Sequence, residues 1–178
     1  MSELKTMLVL ALGAIAILSP ASVAARNVHS PVAGVVTTTT YYKSGYPHRA
    51  VDVAPYGGCG SKNVNTAVAG SLYWNVTINT SSKVCNGNGS GRQNQARHNF
   101  SNGWAFRQWH FNRSGSSYDR TCDRCTIGKA GGTGNASGPH AHLQRERYGT
   151  LTIGWYTRIK HPPYRGKSVS TGTVIGAM

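Results

Sequence analysis

Residues 137–147 read SGPHAHLQRER and place His140 and His142 two positions apart, directly after the glycine-rich run KAGGTGNA. In an extended strand, residues i and i+2 project from the same face. Two imidazoles on one face indicate either a coincidence in a basic chain or one half of a metal site. The question is therefore whether other segments supply the remaining ligands.

The charge of the chain is strongly unbalanced. The chain has 19 Lys and Arg residues but only 5 Asp and Glu residues, which gives a net charge of +14. Such an excess predicts an anionic partner, such as nucleic acid, a membrane surface or an acidic cell wall. The basic residues are spread along the chain, and no nucleic-acid-binding motif accompanies them. We predict a monomer that is drawn to anionic cell-wall or membrane polymers by charge, with no specific nucleic-acid partner.

Residues 1–25 have the character of a secretory signal peptide. Lys5 precedes the apolar run 7–18, and the small residues SVAA follow. The run is shorter than the roughly 20 residues that span a bilayer, although an uncleaved membrane anchor remains an alternative reading. We predict a secreted, periplasmic or cell-wall-associated protein in which residues 26–178 form a single domain.

The predicted export of the chain affects the role expected of its four cysteines. Outside the cell, structural disulfides are favoured, and four cysteines permit three pairings that sequence does not distinguish. The CxxC segment CDRC has no second CxxC to complete a zinc knuckle. The favoured arrangement is Cys59–Cys85 with Cys122–Cys125, because each pair closes a loop without crossing the segments that carry the candidate site.

Short apolar runs separated by Gly, Pro, Asn, Ser and Thr predict strands rather than helices. The candidate strands are GVVTTTTYY, SLYWNVTI, GWAFRQWHF, HAHLQ and TLTIGWYT. The fold class is therefore all-β, mainly antiparallel, with long loops. The C-terminal segment SVSTGTVIGAM is expected to be a weakly ordered end.

A second segment supplies metal-ligand residue types. YPHRAVDVAP places His48 four residues before Asp52, which is one of only four carboxylates after residue 25. Zinc accepts His nitrogen and Asp oxygen, and catalytic zinc sites use three protein ligands plus a water. A Zn²⁺ ion held by two neutral histidines and one carboxylate gives the site a net charge near +1. Such a charge suits polarisation of a carbonyl and acidification of water.

Together these segments resemble the lysostaphin-type zinc peptidoglycan endopeptidases. TIGKAGGTGNASGPHAHLQ is similar to that family's Gly/Thr-rich turn followed by G-P-H-x-H, and YPHRAVDVAPYG to its first metal segment. SPVAGVVTTTTYY, TAVAGSLYW and GWAFRQWHF are similar to further family strands, in the family's order, over residues 31–148. Two departures stand out. Ala50 replaces a usual glycine, and LQRER replaces an apolar-aromatic strand.

The resemblance implies a fold, a cofactor and a set of roles. The fold would be the lysostaphin-like peptidase fold. One Zn²⁺ per chain would be ligated by His48, Asp52 and His142. His110 and His140 would act as general base and transition-state stabiliser and would hand a proton to the leaving amine.

The resemblance also bears on substrate and on rival functions. Tyr41 and Tyr42 would be possible substrate or transition-state contacts, since the family often places a tyrosine near the metal from this loop. The implied function is hydrolysis of peptide cross-links or stem peptides in bacterial peptidoglycan. Two alternatives remain: a catalytically inactive cell-wall-binding module of the same fold, and a secreted basic nucleic-acid-binding protein.

Overall fold

The computed structural model describes residues 26–75, 84–87, 92–113 and 118–178. For residues 71–75 and 118–120 it describes the backbone alone. The predicted signal peptide, residues 1–25, lies outside the described residues. Within the described part, no helix is long and apolar enough to cross a membrane.

The described chain is nearly all β, and its strand pairs are antiparallel, as the apolar runs predict. The strands are β1 (Asn27–His29), β2 (Gly34–Thr38), β3 (Val51–Pro55), β4 (Asn63–Asn65), β5 (Gly70–Asn75), β6 (Gln95–Asn99), β7 (Trp104–Trp109), β8 (Tyr118–Cys122), β9 (Thr126–Lys129), β10 (Ala141–Arg147), β11 (Thr150–Thr152), β12 (Ser168–Val169) and β13 (Val174–Ala177). One short helix, α1 (Gly154–Thr157), and a 3₁₀ turn (Ser101–Gly103) complete the elements.

Nine of these strands form one sheet, in the order β12-β2-β3-β10-β7-β6-β5-β8, with β11 added to β10. β10 therefore lies in the middle of the sheet, between β3 and β7. β1 pairs with β13, and β4 pairs with β9, in two smaller ribbons. β10 carries His142 and begins directly after His140, so this part of the candidate site lies on an inner strand of the sheet.

The two faces of the sheet differ in chemistry, because side chains alternate along each strand. One face contributes apolar side chains such as Val53, Phe106 and Leu143 to the main core, where Trp155 and Tyr156 pack against them. The opposite face presents Asp52 on β3, His142 on β10 and Trp109 on β7, which stand side by side in the register. One face is therefore structural, and the other carries the polar site.

The C-terminal segment corrects the expectation of a weakly ordered end. β12 pairs with β2, and β13 pairs with β1. Val169 and Ile175 are buried in the main core. Short β-branched stretches surrounded by Gly, Ser and Thr give little local signal, so long-range pairing with the N-terminal strands decides their structure.

The cysteines pair as Cys59–Cys85 and Cys122–Cys125, and no described cysteine is free. This confirms the arrangement that the sequence favoured. Residues 84–87 are thereby tied to the loop that follows β3. Their neighbours belong to the glycine-rich segment beside the candidate site.

Candidate metal centre

Cross-strand pairing brings together the residues of the two separated motifs. Asp52 on β3 lies directly opposite His142 on β10. His48 precedes β3, and its backbone N–H donates to the carbonyl of Thr40 over 2.8 Å. The φ of Arg49 is 57°, in the left-handed region. Ala50, at the position where the resembled family has glycine, is buried and shows no positive φ, so the adjacent arginine makes the turn.

Three ligand atoms of these residues converge at close range. His48 Nε2 lies 3.3 Å from His142 Nδ1 and 3.1 Å from Asp52 Oδ2, and His142 Nδ1 lies 2.9 Å from Asp52 Oδ1. A tetrahedral zinc ion with bonds of about 2.0–2.1 Å places its ligand atoms about 3.3 Å apart. Asp52 faces His48 through Oδ2 and His142 through Oδ1, and each of these separations is close to that value. One ligand atom from each of the three residues lies within 4.8 Å of the other two, so the group can hold a metal ion.

Hydrogen bonds fix which nitrogen of each ligand imidazole carries the proton. His48 Nδ1 lies 2.7 Å from the carbonyl oxygen of Thr39, which only accepts, so Nδ1 is the donor and Nε2 keeps its lone pair. His142 Nε2 lies 2.9 Å from Gln144 Oε1, which likewise leaves the lone pair on Nδ1. Two lone pairs and a carboxylate then point at one another, an arrangement that requires a cation or an added proton.

The electrostatics of the carboxylate follow from these contacts. Burial alone would raise the pKa of Asp52, but hydrogen bonds with His142 and His48 outweigh it and hold that pKa well below its usual range. Burial lowers the pKa of His48, whereas its hydrogen bond to Asp52 raises it, and the net change is upward. Asp52 is therefore ionised across the physiological range and supplies the negative charge of the centre.

His110 and His140 stand next to this triad. One ring nitrogen each of His110, His140 and His142 lies within 4.8 Å of the other two. The rings of His110 and His140 are 4.6 Å apart, and His140 Nε2 is 3.8 Å from Asp52 Oδ1. The five polar residues selected from the sequence thus meet at one place.

Each of these two histidines is also oriented by a backbone carbonyl. His110 Nδ1 donates to Thr133 over 2.6 Å, and His140 Nδ1 donates to Gly138 over 2.9 Å, which leaves a lone pair on each Nε2. Burial, together with the repulsion that a protonated His140 would exert, lowers the pKa of His110 to about 4. His110 is therefore neutral near pH 7 and can accept a proton.

The backbone at His110 is unusual for a residue other than glycine. Its φ is 76°, a left-handed conformation that costs free energy and is retained when the surroundings impose it. Those surroundings are Thr133, whose N–H donates to the His110 carbonyl, and Asn94, whose carbonyl accepts from the His110 N–H. The positive φ turns the chain directly after β7, beside the candidate metal ligands.

An open groove of about 640 Å³ runs over the centre. Trp109 and two of the candidate ligands, Asp52 and His142, line it, and residues 135–139 form one wall. The glycine-rich segment that leads into this wall packs closely against residues 84–87, because a Cβ on Gly132 would lie 2.4 Å from the carbonyl oxygen of Cys85.

The two tyrosines singled out in the sequence are placed differently. Tyr42 lines the groove, and its ring lies 4.5 Å from that of His48. Burial and the nearby charge of Asp52 raise the pKa of Tyr42, so its phenol stays protonated. Tyr41 is exposed and lines a different cavity, with Pro47 and Leu151.

Sequence reasoning missed several residues that surround the ligands. Trp109 stacks on His142 with ring centroids 4.6 Å apart and an interplanar angle of 9°. Gln144 and Glu146 follow His142 on the same face of β10 and are almost fully buried. The segment HLQRER places polar residues at His142, Gln144 and Glu146, but Arg145 and Arg147 are charged as well, so no alternation marks one face. It reads as a solvent-facing strand unless the burial is known.

The chain is similar in fold to several solved structures. No family model matches the chain, and no curated protein matches it. Among solved structures, a zinc-containing peptidase from Vibrio cholerae is similar over 71% of this chain and 39% of its own, at 17% identity and a TM-score of 0.45. The M23 metalloprotease pseudoalterin, described as from the deep sea, is similar over 80% and 79%, at 21% identity and a TM-score of 0.41.

A third structure, of a SpoIIIAH and SpoIIQ complex, is similar over 71% of this chain and 96% of its own, at 16% identity and a TM-score of 0.42. The chain spans well under half of the Vibrio protein.

Proposed function

We propose that this chain is a secreted zinc metalloendopeptidase that hydrolyses peptide cross-links or stem peptides of bacterial peptidoglycan. The observation that carries the proposal is the triangle formed by the residues His48, Asp52 and His142, whose facing nitrogen and oxygen atoms are 2.9 to 3.3 Å apart. The motif resemblance to lysostaphin-type peptidases assigns the same three residues to the metal.

The donor set fits zinc in a catalytic role. Three protein ligands leave a fourth position for water or substrate, and the groove above them is open. Zinc acts as a Lewis acid toward a carbonyl and lowers the pKa of the water it binds to about 7. The protein's own contribution is to hold His48 and His142 with their lone pairs aimed at one point and to keep Asp52 ionised.

Proton transfer falls to His110 and His140. Both rings keep a lone pair on Nε2, because Nδ1 of each donates to a backbone carbonyl. Between them they take up the proton of the attacking water, stabilise the transition state and deliver a proton to the leaving amine. General acid–base help of this kind contributes roughly 10²–10⁴-fold.

Tyr42 is placed to contact the substrate. Its phenol is protonated near neutral pH because burial and Asp52 raise its pKa, and it lies along the groove beside His48. It can therefore donate a hydrogen bond to a peptide carbonyl. Tyr41 faces the neighbouring cavity, and we assign it no part in the reaction.

The substrate class rests on the motif resemblance and on charge. A net charge of +14 favours accumulation on teichoic acid, lipopolysaccharide or phospholipid surfaces, which are anionic. The two disulfides agree with a secreted, periplasmic or wall-associated location. Binding to walls should weaken as salt is added, and salt-insensitive binding would contradict this part of the proposal.

The test is zinc-dependent cleavage of isolated peptidoglycan sacculi. The chain without residues 1–25 is compared with chelator-treated protein and with His142→Ala, and new amine ends are measured. Amine ends that disappear with chelator or substitution, and return with zinc in the parent chain, support the proposal. Binding of one metal with no cleavage of several wall types would favour an inactive wall-binding module instead.

A further inference from the structure

Three polar side chains in a row occupy the site face of β10. His142, Gln144 and Glu146 are 7%, 3% and 4% exposed, although nothing in their residue types favours burial. Burying polar groups costs free energy unless each finds a partner. Their contacts with one another therefore explain how the strand tolerates them.

The chemistry of these groups fixes the direction of every hydrogen bond. The carboxylate of Glu146 only accepts, so the Gln144 amide directs its Nε2 donor toward Glu146 Oε1. Gln144 Oε1 then faces His142 Nε2 at 2.9 Å and accepts its proton. The lone pair of the imidazole is left on Nδ1, the atom that faces His48 and Asp52.

The far end of this chain of hydrogen bonds is held by a cation. Arg107 on β7 lies opposite Gln144 in the register, and its Nε is 3.0 Å from Glu146 Oε2. The Glu146 side chain is 6% exposed, so an unpaired carboxylate there would be costly. Arg107 thus supplies a positive charge beside the buried carboxyl group of Glu146, whose Oε1 accepts from Gln144 and orients its amide.

We propose that Arg107, Glu146 and Gln144 form a positioning relay that holds His142 with Nδ1 free to bind the metal ion. The inference rests on the proposed metal centre. Of the two imidazole ligands, His48 is oriented by the backbone carbonyl of Thr39, which substitution does not remove. The orientation of the His142 ring depends on side chains, so residues outside the centre influence how well His142 binds the metal ion. Outer partners of metal-binding histidines typically contribute 10–100-fold in metal affinity.

The test measures Zn²⁺ affinity by competition with a chromogenic chelator. Gln144→Leu removes the acceptor and is expected to weaken zinc binding about 10–100-fold. Arg107→Met is also expected to weaken zinc binding. Arg147→Met, which removes the same charge from the opposite face of β10, is the matched control and should leave affinity unchanged. Circular dichroism and thermal unfolding without metal establish that each variant is folded.

A swap variant tests the order of the relay and keeps the experiment informative if Gln144→Leu does not fold. In Gln144→Glu/Glu146→Gln, the carboxylate can accept directly from His142 Nε2, and the new amide can donate to that carboxylate. The net charge of the chain is unchanged. The double variant should bind zinc at least as tightly as the parent chain. A folded swap variant that binds as weakly as Gln144→Leu would overturn the relay.

A readout without metal separates this inference from the proposed function. Long-range ¹H–¹⁵N spectra of the metal-free chain at mildly alkaline pH should show His142 as the Nε2–H tautomer, and Gln144→Leu should show a mixture. An unchanged tautomer and unchanged zinc affinity in folded Gln144→Leu would overturn the relay. If the parent chain binds no metal, the proposed metal centre fails, and the tautomer comparison still decides whether the relay orients His142.

Discussion

Asp52 and His142 are direct cross-strand partners of β3 and β10, and Asp52 Oδ1 lies 2.9 Å from His142 Nδ1. Side chains alternate with a period of two, so a one-residue slip of either strand would send one of these groups to the apolar face. The register is enforced by Val51, Val53 and Leu143, which are buried in the main core on that opposite face. The packing of the core therefore also fixes the pairing of Asp52 with His142.

The first prediction concerns Asp52. Asp52→Asn keeps the shape of the side chain but removes the only charge among the three candidate ligands. Metal affinity should fall by more than about 100-fold, the upper end of what outer-partner substitutions cost. Metal content after dialysis and zinc titration measure the loss.

Asp123→Asn is the matched control, because the Asp123 side chain is 65% exposed and pairs only loosely with Arg124, at 3.6 Å. It should bind metal as the parent chain does. Stoichiometric, tight zinc binding by Asp52→Asn would remove this carboxylate from the centre.

The second prediction separates binding of the metal from proton transfer. His110→Gln and His140→Gln should each lower the rate of peptide cleavage by roughly 10²–10⁴-fold, as expected for loss of a general acid or base. Metal content should not change, because neither residue belongs to the triangle of His48, Asp52 and His142. His161→Gln is the control. Loss of metal in His140→Gln would mean that His140 is itself a ligand.

The residues that meet at the centre were accessible to sequence reasoning for a specific reason. Metal ligands need few residue types, and the HxxxD and HxH spacings keep His48, Asp52, His140 and His142 recognisable without any knowledge of the pairing. The relay was not accessible, because Gln144 looks the same in sequence whether its strand face is solvated or covered.

The strands, too, divide into those that a local sequence pattern predicted and those that it did not. Strongly apolar runs such as those of β2 and β7 predicted strands correctly, because alternation within a run is local information. The two-residue strand β12 and the short β13 take their structure from pairing with β2 and β1, which no local pattern records. The left-handed backbone at His110 is likewise imposed by Thr133 and Asn94, which are distant in sequence.

The third prediction is a pH dependence of the metal-free chain. The pKa of His110 falls from its ordinary value of 6.5 to about 4 on folding, through burial and the repulsion that a protonated His140 would exert. The unfolded chain therefore binds more protons between these values, and stability is lost as the pH falls through that window. At pH 5 the loss attributable to His110, relative to pH 8, is about 2 kcal/mol.

The contribution of His48 to the pH dependence of stability has the opposite sign, because its raised pKa favours the folded state at lower pH. The comparison is therefore made between the parent chain and His110→Gln, by urea unfolding at pH 5 and pH 8 without metal. The variant should lose less stability on acidification. Equal losses in both proteins would show that His110 titrates normally.

The fourth prediction uses the stacking of Trp109 on His142. An indole parallel to a ligand imidazole at 4.6 Å should change its fluorescence when the imidazole binds Zn²⁺. Trp109→Phe should therefore remove most of the zinc-induced change, whereas Trp104→Phe, beside Arg145 on the other side of the sheet, should not. The measurement is a fluorescence titration of the metal-free proteins. A full signal in Trp109→Phe would assign the response to another tryptophan.

The fifth prediction concerns the Cys59–Cys85 disulfide, which joins residues 26 positions apart. Gly132 donates to the Val84 carbonyl over 2.7 Å, and Gly87 donates to the Gly132 carbonyl over 2.8 Å, so the disulfide anchors the start of the groove wall. Cys59→Ser/Cys85→Ser should cost about 3 kcal/mol in unfolding free energy, from loop-closure entropy. It should also raise KM while metal content is unchanged, because the candidate ligands lie at β3 and β10.

The matched control is Cys122→Ser/Cys125→Ser, which opens a bridge between residues only 3 positions apart. A shorter closed loop removes less entropy from the unfolded chain, so its cost should be smaller, about 2 kcal/mol. KM should be unaffected, because Cys122 and Cys125 contact Thr66, which does not belong to the groove or its wall. Unfolding curves, metal content and peptide-release kinetics check both variants. Loss of metal from Cys59→Ser/Cys85→Ser would show that the wall supports the ligands themselves, whereas an unchanged KM would show that residues 135–139 hold their position without the disulfide.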